Sequence, residues 1–189
     1  MAKPAGSACN LDCAYCFYLS KRVLPGGPGS GHMPDDVLER FVKDYIDSIT
    51  ADEVVFSWQG GEPTLLGLGF FEKVVALQKK HARAGQRIEN DLQTNGTLLD
   101  DDWARFLKQQ RFLVGLSIDG PREIHDHCRI TKHAEPTFDQ VFAAAKMLQK
   151  HGVRFNTLTC VHRYNASRPL DVYRFLRREI GSTYIQFIP

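Results

Sequence analysis

A chain of 189 residues, 43% hydrophobic and 24% charged, can hide about 70% of its unfolded surface in a single core. Its 24 lysines and arginines against 22 aspartates and glutamates leave no excess of one sign to draw nucleic acid or an anionic membrane surface. No apolar run approaches the ~18 residues of a membrane span, and the start, Met1-Ala-Lys-Pro-Ala-Gly, lacks a secretory apolar stretch, so a soluble, cytoplasmic protein is expected.

In chain order, three of the five cysteines come first, at Cys9, Cys13 and Cys16. The run Pro25-Gly-Gly-Pro-Gly-Ser-Gly31 reads as a flexible loop, with no strand before it and no phosphate-loop lysine after it. Pro34-Asp35-Asp36 is a favourable first turn for a helix whose face carries Val37, Leu38, Phe41, Val42, Tyr45, Ile46 and Ile49. Residues 54–58, β-branched and aromatic, read as a strand ending at Gly60 and Gly61. Phe70, Phe71, Val74, Val75 and Leu77 mark a second helix. Further strands are expected at 88–93, 112–118, 153–161 and 184–188. Between them, Asp100 caps a helix bearing Trp103, Phe106 and Leu107. Thr137 opens one bearing Phe138, Val141, Phe142, Ala145 and Leu148, closed by Gly152. Ser167 opens the last, with Leu170, Tyr173, Leu176 and Ile180, ended by Gly181.

This alternation predicts right-handed βαβ units and a parallel sheet whose strands are covered on both faces. A doubly wound open sheet and a barrel, whole or partial, both satisfy the pattern, and each places ligands at the C-terminal strand ends. Phe41, Phe71, Phe106 and Tyr173 are expected as core anchors, and Cys160 as a small core hydrophobe.

Five cysteines are an odd number, and Cys9, Cys13 and Cys16 cannot all pair with one another. That is poor arithmetic for a secreted disulfide framework and good arithmetic for a metal site in a reducing compartment. A structural zinc needs four ligands, the fourth being His32 or a more distant His or Cys. An iron–sulfur cube takes three thiolates on three irons and leaves one iron open, which is a catalytic arrangement. Inert core cysteines are the third reading. The run His125-Asp126-His127-Cys128 matches no common zinc spacing.

Cys9-Asn-Leu-Asp-Cys13-Ala-Tyr15-Cys16 resembles the cluster loop of the radical S-adenosylmethionine (radical SAM) enzymes. Gly60-Gly61-Glu62-Pro63 resembles that family's methionine-amino-group motif. Gln93-Thr94-Asn95-Gly96-Thr97 and Leu116-Ser117-Ile118-Asp119-Gly120-Pro121 follow in the family's order, each at a strand end. The surrounding words Cys16-Phe17-Tyr18-Leu19, Trp58-Gln59-Gly60-Gly61 and Gln186-Phe187-Ile188-Pro189 resemble anaerobic sulfatase-maturating enzymes within it.

The resemblance implies an α/β fold, a partial (β/α)6 TIM-like barrel with helices outside. It implies a [4Fe-4S] cluster on Cys9, Cys13 and Cys16, with SAM on the open iron. A low-potential electron donor would drive cleavage of SAM to a 5′-deoxyadenosyl radical, which oxidises a cysteine or serine of a sulfatase polypeptide to Cα-formylglycine. Tyr15 is implied to lie against adenine and the Gly60 and Gly61 carbonyls to accept from the SAM ammonium. Glu62 would hold the turn or the amino group, and Ser117 would touch ribose or carboxylate. Arg129 is expected to take the SAM carboxylate. Tyr18 and Gln59 are implied to face the peptide, against the plain alternative of a packed tyrosine and a strand-end amide. Thr94 and Asn95 either contact ligand or satisfy backbone groups.

Members of this subgroup are longer, with a cysteine-rich second half that holds auxiliary clusters and supplies the acidic residue taking the substrate proton. Residues 1–189 are therefore read as a radical SAM core clipped at both ends, with the general base outside it. The last strand should then expose apolar surface. The loop at 130–136 lacks the glycines often found there and is expected to differ. Contrasting readings are a module that binds cluster and SAM without completing a reaction, and another radical SAM peptide-modifying enzyme.

Overall fold

The computed structural model describes residues 1–18 and 32–189; the glycine-rich run at 25–31 and Leu19 lie outside the described residues. Five strands, β1 (Glu53–Trp58), β2 (Arg87–Thr94), β3 (Leu113–Ser117), β4 (Arg154–Cys160) and β5 (Ile185–Ile188), form one parallel sheet in the order β1-β2-β3-β4-β5. Spatial order equal to chain order contains no reversal, so there is no switch point of the doubly wound kind. A sheet wound in one sense is the arrangement of a partial (β/α) barrel. Ala2 adds a parallel bridge to Trp58, its N–H donating to the Ser57 carbonyl at 2.8 Å. The first residues are thereby tied to β1.

The helices are α1 (Asp35–Ser48), α2 (Leu68–His81), α3 (Asp101–Gln109), α4 (Arg122–Cys128), α5 (Phe138–Lys150), α6 (Arg163–Ala166) and α7 (Pro169–Arg174). Leu38, Val42 and Ile46 of α1, Phe71 and Val74 of α2 and Trp103 and Leu107 of α3 are buried in one core with Val54, Phe56 and Trp58 of β1. Trp58 is its centre, meeting Phe41, Phe70 and Phe71 edge to face. Its indole N–H donates to Asn90 at 2.8 Å, and Asn90 and Gln78 complete the pairing with a bond in each direction, so the buried polar atoms are satisfied.

Burial alternates along β1 and β2: Val54, Phe56 and Trp58 are at most 1% exposed while Val55 is 40% exposed. The expectation of strands covered on both faces holds for β3, buried from Val114 to Ser117, and is corrected for β1 and β2. Helices cover one face of these strands, and the other carries Ser57, Glu89, Asp91 and Gln93, with Ser57 donating to Asp91 at 2.7 Å.

Asp100 caps α3 as expected, accepting from the Trp103 N–H. Thr137 does not cap α5 with its side chain. Its hydroxyl is spent on the Arg129 carbonyl, and Asp126 of α4 accepts the Thr137 and Phe138 N–H groups instead, at 2.9 and 2.8 Å. Ser167 closes α6 rather than opening the last helix, which starts at Pro169 and continues as a π-turn over Phe175–Glu179. The buried stripe runs through Val172, Phe175, Leu176 and Ile180. Tyr173 is half exposed, like Leu170, and is no core anchor. Tyr184 and Phe187 beside and within β5 are exposed. Among the described residues no helix is long and apolar enough to cross a membrane.

Candidate functional site

The C-terminal ends of the strands share one cavity of about 490 Å³, across which the cysteine loop is laid. Cys9, Cys13 and Cys16 all line it, as do Tyr15, Tyr18, Gly60, Gly61, Glu62, Ser117 and Arg129. Gln59 alone of the expected residues is outside the lining, its backbone N–H held by the Ala2 carbonyl at 3.0 Å. A larger cavity of about 670 Å³ opens at the other end of β4 and β5, between Leu113, Phe155 and Tyr184, and has no cysteine in its lining.

The turn after β1 meets the cysteine loop backbone to backbone. Gly61 N–H donates to the Gly6 carbonyl at 2.9 Å and Glu62 N–H to the Ala8 carbonyl at 2.7 Å. A Cβ on Gly61 would lie 1.9 Å from the Ala8 oxygen, and Gly60 has φ +125. Both positions therefore need glycine to let this turn close on residues 6–8, before any ligand is considered.

Glu62 is buried, and its side chain holds the turn. One carboxylate oxygen accepts from the Thr64 N–H and hydroxyl and from the Thr94 hydroxyl; the other accepts from the Asn95 N–H at 2.7 Å. Burial pushes its carboxyl up from the usual range, while these four bonds favour the carboxylate. Thr94 and Asn95 thus serve the scaffold. Asn95 also reaches the cysteine loop, donating to Asn10 at 2.9 Å and to the Cys9 sulfur at 3.8 Å.

A second anchor, unrecognised in the sequence, is Asp119, two residues past β3 and fully buried. Its Oδ2 accepts from the Tyr15 hydroxyl and from Arg129 Nε at 2.9 Å, and its Oδ1 from the Cys160 N–H at 3.1 Å. The Tyr15 ring stacks on His162 at 5.5 Å, and the Arg129 guanidinium lies 5.5 Å from its centre. One carboxylate thus ties the cysteine loop to β3, to β4 and to the end of α4. Cys160 is a half-buried wall of the cavity and not a core hydrophobe, because it ends β4 where the ligands of such sheets sit. The only clue to this anchor was a carboxylate continuing an apolar strand, Leu116-Ser117-Ile118-Asp119.

The glycine-free loop after α4 folds back through an Ile130–Pro136 bridge, and Thr131 bridges Leu11 of the cysteine loop. Ala134 takes φ 60 there, a conformation usually left to glycine or asparagine.

His125 is structural. Its Nδ1 accepts from the Asp119 N–H at 3.4 Å, and its Nε2 lies 3.1 Å from the Thr137 hydroxyl, whose own proton goes to Arg129 O. Nε2 therefore carries the hydrogen, and neither nitrogen is left for a metal. Burial, and next the Arg129 guanidinium, push this imidazole down to about 3. An unfolded histidine, near 6.5, takes up a proton that the folded chain refuses, so the unfolded state binds more protons between those values. Stability must then fall as pH drops through this window, by about 1.4 kcal/mol per unit and about 2 kcal/mol by pH 5. Urea melts at pH 7 and pH 5 check this, and His125→Gln should flatten the slope by that amount.

Among the described residues no three His, Cys, Asp or Glu side chains converge on a single ion, as one zinc would require. An iron–sulfur cube instead asks each of three thiolates to meet a different iron. Three cysteines lining one cavity from one loop fit that demand. Burial raises the Cys9 thiol, and raises Cys13 to about 12, so ligation must displace their protons.

The model of the radical SAM superfamily matches residues 4–176. A serine-type anaerobic sulfatase-maturating enzyme of Bacteroides thetaiotaomicron is 47% identical over 189 residues, which are 100% of this chain and 45% of the relative. A cysteine-type anaerobic sulfatase-maturating enzyme of Clostridium perfringens is 46% identical, covering 100% of this chain and 50% of its own. The solved structure of native anSMEcpe with bound AdoMet and Kp18Cys peptide matches with TM-score 0.91 and 45% identity, over 98% of this chain and 49% of that one. The chain spans about half the length of the relatives it matches.

Proposed function

The chain belongs to the radical SAM superfamily, and from that premise we propose that it is the cluster- and SAM-binding part of an anaerobic sulfatase maturase, serving the oxidation of a sulfatase cysteine or serine to Cα-formylglycine. The observation carrying this reading is the meeting of Cys9, Cys13, Cys16 and the Gly60–Gly61 turn on one cavity. When bound, a [4Fe-4S] cluster supplies one electron to the SAM sulfonium and so breaks a C–S bond.

The chain's own residues bind and orient. Cys9, Cys13 and Cys16 hold three irons. The Gly60 and Gly61 backbone, fixed against residues 6–8, faces the SAM amino group. Arg129 spends Nε on Asp119, and its terminal nitrogens are offered to the SAM carboxylate as a fork. Ser117 offers its hydroxyl at the end of β3. Tyr15, backed by His162, walls the adenine side. Tyr18, packed against Phe17 and Lys3, faces the sulfatase peptide together with Gln59.

One observation favours a narrower competence. The carboxylate lining the cavity, Glu62, has both oxygens occupied, which leaves no free side-chain carboxylate for the substrate proton among the described residues there. The test is anaerobic reconstitution with iron and sulfide, followed by dithionite and SAM. A brown protein that releases 5′-deoxyadenosine but forms no aldehyde in a sulfatase peptide is the expected result. A protein that binds iron and yields no 5′-deoxyadenosine sinks the SAM-cleaving reading, and one that forms aldehyde sinks the narrower one.

A further inference from the structure

The three cysteine sulfurs do not face equal surroundings. Cys9 Sγ accepts from the Leu11 N–H at 3.4 Å and from Asn95 Nδ2 at 3.8 Å. Among the described residues no N–H group donates to the sulfur of Cys13 or Cys16.

The orientation of the Asn95 amide follows from its other partners. The Thr97 backbone N–H can only donate, and it meets Asn95 Oδ1 at 3.0 Å, where the Thr97 hydroxyl also donates at 2.8 Å. The opposite end is therefore Nδ2, with two hydrogens for two acceptors: Asn10 Oδ1 and the Cys9 sulfur. Asn10 returns a bond to the Thr97 hydroxyl at 2.8 Å, closing a ring of three side chains. The Asn95 backbone N–H is held by Glu62, and the residue is 6% exposed. A donor fixed this firmly is aimed at the sulfur before any cluster arrives.

We propose that Asn95 is a positioning residue that sets the reduction potential of the cluster through the Cys9 thiolate; the proposal rests on the cluster reading above. Reduction by one electron makes the cluster and its ligands more negative, with no proton moved and no bond broken. An N–H directed at a ligand sulfur favours the more negative state, so it raises the potential. Through the ring and Glu62, the turn after β1 and the loop after β2 would then adjust the electron affinity of a group held by neither.

The test uses the whole chain, reconstituted anaerobically and titrated with dithionite under electron paramagnetic resonance. Asn95→Asp keeps the oxygen on Thr97 and puts an oxygen where the donor stood. It should disfavour reduction by about threefold or more, about 28 mV at about 59 mV per tenfold for one electron. Asn95→Ala, neutral and smaller, should shift the same way and decides the matter where Asn95→Asp holds too little iron. Asn10→Ala breaks the ring but leaves the sulfur donor, and should move the potential the same way by less than Asn95→Ala does. A potential equal to wild type in Asn95→Ala, at equal iron content, overturns the proposal while the cluster reading stands. A wild-type chain that takes up no iron overturns both.

Discussion

Replacing Cys13 by alanine should leave a folded chain that no longer holds iron. Cys13 is 8% exposed within the loop, and its loop is fixed by groups other than its sulfur: the Cys128 carbonyl on Ala14, the Ile130 carbonyl on Asp12 and Asp119 on Tyr15. Removing one buried sulfur costs about 1 kcal/mol, the size of an ordinary small truncation. Removing one of three ligands takes away a corner of the cluster, and retained iron should fall by at least about tenfold, the least that loss of even a supporting partner typically costs in affinity. The measurement is iron per chain and visible absorbance after anaerobic reconstitution, with circular dichroism to check folding. Cys128→Ala and Cys160→Ala should keep their iron, though Cys160 lines the same cavity. Equal iron in Cys13→Ala and wild type would refute the ligand assignment.

The second large effect is on stability. Asp119→Ala should cost about 3–5 kcal/mol, because it leaves the buried Arg129 guanidinium without its counter-charge. The two side chains are 0% and 8% exposed, so water cannot take over the lost partner. The Tyr15 hydroxyl and the Cys160 N–H lose an acceptor at the same time. For a domain of this size the loss is about 6–20 °C in Tm. The double variant Asp119→Leu with Arg129→Met, which removes both charges, should recover much of it. Thermal melts of the metal-free chain decide the matter: a loss below about 1 kcal/mol would mean that the pair is not formed in solution.

What could be read in advance was what the chain states locally. Cys9, Cys13 and Cys16 announce themselves because their spacing is contained in one loop. Asp100 is legible as a cap because its acceptor is used three residues on. Asp119 is not, because Tyr15 lies 104 residues away in sequence and Cys160 another 41, and no local pattern encodes such a meeting. The seven-residue α4 and four-residue α6 are too short for periodicity to show. Tyr173 misleads for a different reason: Leu170 and Tyr173 also stand at helical spacing from Leu176 and Ile180, and periodicity does not separate that stripe from the buried one through Val172 and Phe175.

The sheet has strands that pair in the order in which they are made, and this governs how the chain can fold. Every pairing joins segments separated by a whole helix; Glu53 faces Arg87 across 34 residues. No hairpin can form early and guide the next step, so each strand must wait for a long loop to close before it gains a partner. The chain is therefore expected to collapse quickly and order slowly. Refolding from denaturant should show a lag that grows worse with concentration, since unpaired strands of different molecules compete for one another meanwhile.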